Sequence, residues 1–179
     1  MTEVGTIYGG ALYELAAEEN LSRDILGQLQ VLCESFAQEP AFLDLLCTHS
    51  LPKAERCKIL DDSFDGKVHT YVVNFLKILT EKGYVRRFAD CCKAYRIRYN
   101  ADNNILPITA VTAVALSEEQ SVRLTAKLEK LTGKIVELTN RIDPNVLGGV
   151  RLDYDGKCVD DTLAHRLDHI RHLLNNTIL

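Results

Sequence analysis

Glycine followed by lysine at Gly133-Lys134 is the pair around which phosphate-binding loops are built. Such a loop also needs a glycine five positions before that Gly and a hydroxyl residue after the Lys. Leu128 and Ile135 hold those positions, so the backbone cradle is missing. The pair reads instead as a glycine C-cap with a lysine complementing the helix dipole. Gly148-Gly149 is too short to wrap a pyrophosphate and reads as a bend or bulge just before a strand. His165, His169 and His172 share one face of the last helix, as ligands of one metal ion would. Leu163, Leu167, Ile170 and Leu174 form the opposite, core-facing stripe, and no acidic or thiol ligand completes the set. That face is therefore read as meeting solvent or a partner. Asp61-Asp62 and Asp160-Asp161 are sequence neighbours, which do not face each other on a helix. Asp160 or Asp161 reads as the cap of the final helix. No GxSxG, HExxH or Cys/His signature occurs. The reading assigns no catalytic residue, no metal and no cofactor.

Composition narrows the classes further. The chain has 179 residues, 46% hydrophobic and 26% charged, with a net charge of -4. That is a globular composition, and the acidic balance argues against a nucleic-acid binder. There is no apolar run long enough for a membrane span, so no direct membrane insertion is expected. Met1-Thr2-Glu3-Val4-Gly5 lacks the basic-then-apolar pattern of a secretory signal and the arginines of a transit peptide. Cys33, Cys47, Cys57, Cys91, Cys92 and Cys158 show no CxxC or CxxxC spacing. They read as buried free thiols in a reducing compartment, with Cys91 and Cys92 as helix neighbours rather than a redox pair.

The elements follow from periodicity. Residues 7 to 19 form a first helix with Ile7, Tyr8, Ala11, Leu12 and Leu15 on one face. Ser22 is the expected N-cap of a second, whose stripe is Ile25, Leu29, Leu32, Cys33 and Phe36. Pro40 and Pro52 suit the first turns of a third and fourth. A fifth is expected over residues 67–82, stopped by Gly83, and a sixth carries Phe88, Cys92, Tyr95 and Tyr99. A polar break at residues 100–104 ends the helical part. Residues 108–114 then read as a strand, and Ser117-Glu118-Glu119-Gln120 as a capping box opening a helix with Leu124, Leu128 and Leu131. Short strands follow at residues 135–138 and from Val150, and Asp155-Gly156 turns a hairpin into Lys157-Cys158-Val159. The fold class is mainly α: an N-terminal six-helix bundle, residues 1–104, followed by a smaller α+β domain, residues 105–179.

Helices one and five carry more apolar surface than one core contact needs. Ile78 sits at the edge of the fifth helix's stripe and Val73 on its far side. Periodicity is satisfied equally by helices buried among several neighbours and by a groove that receives a partner's amphipathic helix.

Several segments, in order from residue 7 to 174, resemble the delta (OSCP-type) stator subunits of the rotary F-type ATP synthase. Ile7-Tyr8-Gly9-Gly10-Ala11-Leu12-Tyr13-Glu14-Leu15-Ala16 is similar to that family's opening helix. Asn74-Phe75-Leu76-Lys77-Ile78-Leu79-Thr80-Glu81-Lys82-Gly83 resembles its fifth-helix element. Ala110 to Gln120, Thr132-Gly133-Lys134, Ile142-Asp143-Pro144-Asn145-Val146-Leu147-Gly148-Gly149-Val150 and Val159-Asp160-Asp161-Thr162-Leu163 match its C-terminal motifs. Asp143, Gly148, Gly149 and Asp160 are the structural residues of those motifs. The departures are Tyr84 where the family has Arg near the helix end, Ala115 where it often has Pro, and Gly9 and Gly10 in place of small helix formers. Each glycine is expected to weaken the first helix by roughly 1 kcal/mol against alanine.

The resemblance implies a non-catalytic subunit in which the N-terminal helices of the alpha subunits dock in a groove between helices one and five. Tyr8, Leu12, Asn74 and Ile78 carry over as contacts. It also implies that the C-terminal domain grips the peripheral-stalk b subunits. The expected location is the cytoplasmic face of the bacterial plasma membrane, as a peripheral part of the complex. A helical adaptor of another multiprotein complex is the alternative, and a small enzyme with dispersed catalytic residues a third reading.

Overall fold

The computed structural model describes residues 2–160 apart from 49, 50, 65 and 147. The last helix expected from the sequence, with His165, His169 and His172, falls outside the described residues. The described chain is mainly helical with one four-stranded sheet. It divides into two compact units, Met1–Tyr99 and Asn100–Leu179.

The first unit contains α1 (Glu3–Glu18), α2 (Ser22–Gln38), α3 (Pro40–Cys47), α4 (Lys53–Phe64), α5 (Thr70–Lys82), a 3-10 turn (Val85–Arg87) and all but the last three residues of α6 (Phe88–Asp102). Local chemistry sets most boundaries. The Thr2 hydroxyl caps α1 by accepting from the Gly5 amide. Ser22 is not the cap of α2; it is the first helical residue, and Leu21 takes the cap position without a side-chain bond. Leu21 packs against the core, so its burial fixes the entry to α2. Pro40 does occupy the first turn of α3, whereas Pro52 stands just before α4, its carbonyl accepting from the Glu55 and Arg56 amides. α5 starts three residues later than expected. His69 has extended backbone there, and its Nδ1 accepts from the Tyr71 amide at 3.2 Å. Gly83 ends α5 at φ 75°, a left-handed cap.

The core gathers Ile25, Leu29, Leu46, Leu60, Leu76, Leu79 and Tyr95, all essentially inaccessible to water. Phe36 meets Phe42, Phe64 and Phe88 with ring centroids 5.2–6.4 Å apart, within the range of favourable aromatic pairs. Tyr95 stands edge-on to Tyr13, and its hydroxyl donates to the Ser22 carbonyl at 2.9 Å. Arg56, although buried, caps the end of α3 by donating from Nη1 to the Leu46 carbonyl at 2.8 Å.

α1 lies against α6 through glycine. A Cβ at Gly9 would sit 2.3 Å from the Cys91 carbonyl oxygen, and one at Gly5 would sit 2.9 Å from the Asp90 Cβ. Arg98 folds across Gly10 and pairs with Glu14. The glycines read as a propensity cost therefore allow an approach that no other residue permits.

The second unit pairs β1 (Ile105–Thr112) with β2 (Ile135–Ile142) in parallel, joined by α7 (Glu118–Thr132). β3 (Val150–Tyr154) adds to β1 antiparallel, and β4 (Lys157–Asp160) pairs with β3, giving the order β2-β1-β3-β4. β1 begins earlier than expected and includes Pro107. β3 pairs only with residues Thr109–Thr112, so Pro107 has a neighbouring strand on one side alone. Ser117 and Gln120 form the capping box, and Gly133 is the left-handed cap of α7. Leu106, Ile108 and Val136 make a small core with Leu128, Leu138, Leu152 and Tyr154, while Leu131 is exposed. Asp155 and Gly156 both have positive φ, 50° and 73°, as a tight two-residue hairpin requires.

Candidate interaction site

The side of α1 that faces the core is Gly5, Gly9, Leu12, Tyr13 and Ala16. Its richest apolar row points outward: Ile7 is 60% exposed and Leu15 41%, with Ala11 exposed between them. Tyr13 and Ala16, which are not among the residues of the apolar face read from periodicity, are buried. On α5, Val72, Phe75, Leu76 and Leu79 face the core. Val73 is buried, whereas Ile78 is 44% exposed and Asn74 is also exposed.

These two surfaces are neighbours. Tyr8, early in α1, meets Tyr84, just past the end of α5, with ring centroids 6.0 Å apart. At the other end, Tyr71 opens α5 beside Glu19, just past α1. The Glu19 charge, with burial, a hydrogen bond to Glu19 and the Glu18 charge adding to it, raises the Tyr71 phenol above its ordinary value. The helices therefore run antiparallel, held at both ends. Tyr8 and Tyr71 lie at the two ends of this seam, while Ile7, Ala11 and Leu15 on α1 and Asn74 and Ile78 on α5 are exposed.

Of the residues singled out from the sequence, Tyr8 is half-buried, and Asn74 and Ile78 are on the surface. Leu12 is 5% exposed and belongs to the core beneath the seam. Tyr84 and Tyr71 were missed. Tyr84 had a local signal: it follows Gly83 in a Schellman cap, where its amide donates to the Leu79 carbonyl at 2.7 Å. An apolar residue at that position turns back onto the helix flank.

In the second unit, Asp143 sits in the loop after β2. Its Oδ1 accepts from the Asn145 amide at 3.0 Å, and its own amide donates to the Thr112 carbonyl at 2.9 Å. Gly148 and Gly149 follow with φ 152° and 86° and lead into β3. Asp160, at the end of β4, lies opposite Arg151. A separate cleft of about 730 Å³ runs along α2, lined by Ile25, Gln28, Val31, Phe64 and His69 among others. There the Gln28 Oε1 accepts from the His69 amide at 2.7 Å, a contact that joins α2 to the start of α5.

Residues 4–174 match the family model of the ATP synthase delta (OSCP) subunit. ATP synthase subunit delta of Alkaliphilus oremlandii (strain OhILAs) is 30% identical over 172 residues, covering 96% of each chain. The chain belongs to the ATP synthase delta (OSCP) subunit family. The protein of that same description from Enterococcus faecalis (strain ATCC 700802 / V583) is 30% identical over 172 residues, 96% of this chain and 95% of its own. A chain in a cryo-EM structure of the Toxoplasma gondii mitochondrial ATP synthase hexamer has the same fold, with a TM-score of 0.74 over 97% of this chain and 98% of its own, at 16% identity. Family membership makes the chain a non-catalytic stator subunit of the peripheral stalk of an F-type ATP synthase. Among the described residues no helix is long and apolar enough to cross a membrane, and the subunit is a peripheral part of its complex.

Proposed function

We propose that the α1–α5 seam receives an amphipathic helix from the N-terminus of an alpha subunit. The N-terminal part, residues 1–104, acts in this reading as a six-helix bundle seated on the catalytic head. Residues 105–179 grip the peripheral-stalk b subunits. The complex stands on the cytoplasmic face of a bacterial plasma membrane. Rotation of the central shaft then meets a head that cannot turn with it.

The observation that carries this is the outward-facing apolar row on α1 beside exposed Ile78. A helix laid along the seam removes Ile7, Leu15 and Ile78 from water and adds to the Tyr8–Tyr84 pair. Burying each aliphatic side chain fully contributes roughly 1.5–3 kcal/mol, so a few anchors suffice for a slowly dissociating contact. Leu12 acts as the floor under this row and Asn74 as a polar rim. The acidic end of α1, Glu18 and Glu19, favours a basic group on the incoming helix.

The test is calorimetric titration of the chain with the alpha-subunit N-terminal peptide of the same organism. Ile78→Asp places a charge at an exposed position on the seam, and Tyr8→Asp places one at a half-buried position. Stoichiometric binding that either substitution weakens roughly 30-fold or more, with circular dichroism unchanged, establishes the groove. A folded wild-type chain that ignores the peptide removes it and favours docking elsewhere on the subunit.

A further inference from the structure

The structure brings together three thiols that the stator role does not use. Cys33 lies on α2, and Cys91 and Cys92 lie on α6. Cys92 Sγ is 4.0 Å from the Leu29 carbonyl, one turn before Cys33 on the same face of α2. Cys33 and Cys92 both pack at the edge of the core, and the Cys92 thiol is hydrogen-bonded to the Cys33 sulfur. Cys33 also lines a small cavity of about 150 Å³ that opens between Phe36, Leu43, Val85 and Phe88. Cys91 is 1% exposed.

We infer that Cys33 and Cys92 form a reversible dithiol–disulfide pair that staples α2 to α6 when the chain meets a low-molecular-weight disulfide. The Cys33 thiolate attacks one sulfur of the small disulfide, forming a mixed disulfide and releasing one small thiol. Cys92 loses its proton to solvent, and its thiolate attacks the Cys33 sulfur, releasing the second. The protein loses two electrons and two protons, and the small disulfide is reduced to two thiols.

The roles are unequal. Cys33 is half-buried beside the cavity, and the hydrogen bond from Cys92, the largest influence on it, draws its pKa below the ordinary thiol value. It is the attacking group, since the thiolate is the nucleophile. Cys92 is held protonated by that same bond and by burial, and serves to resolve the mixed disulfide. Cys91 is the bystander: burial first, then the Asp90 charge, pushes its thiol up to about 11. The link would close a loop containing α3, α4 and α5, and it anchors α6, the helix on which α1 lies.

The experiment incubates the full chain with glutathione disulfide, quenches with acid, alkylates free thiols and maps the peptides by mass spectrometry. A Cys33–Cys92 crosslink, lost on adding dithiothreitol, is expected in the wild-type chain. It should persist in Cys91→Ser. Cys92→Ser should instead accumulate glutathione on Cys33, and Cys33→Ser should give no crosslink. Persistence of glutathione on wild-type Cys33, a bridge involving Cys91, or recovery of Cys33 and Cys92 as free thiols overturns the inference. Mapping the wild-type chain decides this even if a variant fails to fold.

Discussion

Gly9 shows how far a residue's value depends on its surroundings. On propensity alone, alanine there gains about 1 kcal/mol of helix stability. The contact reverses the sign, because the new Cβ would lie 2.3 Å from the Cys91 carbonyl oxygen, a backbone atom that cannot swing aside. Gly9→Ala must push α1 from α6, and overpacking of that kind costs roughly 1–3 kcal/mol. Gly27 is the control. It is a helical glycine in α2, and a Cβ there would meet nothing within 4 Å. Gly27→Ala should therefore stabilise the chain by about 0.5–1 kcal/mol. Urea unfolding of the two variants should give opposite shifts in midpoint; a stabilised Gly9→Ala would show that the two helices are not in close contact.

At the scale of the element, what was legible is what short-range chemistry decides. The capping box at Ser117, the caps at Gly83 and Gly133 and the Asp155-Gly156 turn each depend on a few adjacent residues, and each stands where it was read. What was not legible depends on a distant partner. The buried side of α1 includes Gly5, Gly9 and Gly10, which carry no hydrophobic signal, so the face singled out by periodicity reaches the core at Leu12 while its Ile7, Ala11 and Leu15 face outward. Pro107 is tolerated within β1 because of where β3 stops pairing. The proposed interaction site rests largely on resemblance, which supplied Asn74 and, together with periodicity, Ile78, while the Tyr8–Tyr84 contact was visible only when the helices were seen side by side. Cys158, read among the buried thiols, is exposed on β4, an edge strand. Asn140 is a further case of long-range logic. Its Nδ2 donates to the Ala110 carbonyl and the Thr112 hydroxyl, both at 2.9 Å, and its Oδ1 accepts from the Leu116 amide at 3.0 Å. One side chain on β2 thus ties the end of β1 to the loop that opens α7. Asn140→Ala leaves these partly buried groups unpaired and should cost about 1–3 kcal/mol. Hydrogen exchange should show the loss at the Leu116 amide and the start of α7 first. Unchanged protection there would mean that water replaces the side chain at no cost.

For the whole molecule, the useful property is mechanical. A stator subunit does no chemistry, so its substitutions should separate two activities that normally run together. ATP hydrolysis needs only a rotor turning inside the head. Ion pumping needs the head held while the rotor turns. If the α1–α5 seam is the grip on the head, a charge at its centre should release the head without touching a catalytic residue. Ile78 is suited to this test because it is 44% exposed and lies outside the core cluster, so Ile78→Asp can weaken docking with little change in folding. In membranes assembled with that variant, ATP hydrolysis should continue while ATP-driven ion pumping falls roughly in proportion to the heads released. Anchors of this kind cost about 2 kcal/mol or more when lost, a 30-fold loss of affinity, so the defect should deepen on dilution of the membranes. Leu29→Asp gives the contrast: it buries a charge in the core, and the subunit should be lost from the complex by misfolding rather than by weakened docking. Pumping that stays fully coupled with Ile78→Asp present in the assembled enzyme would mean that the grip lies on another face.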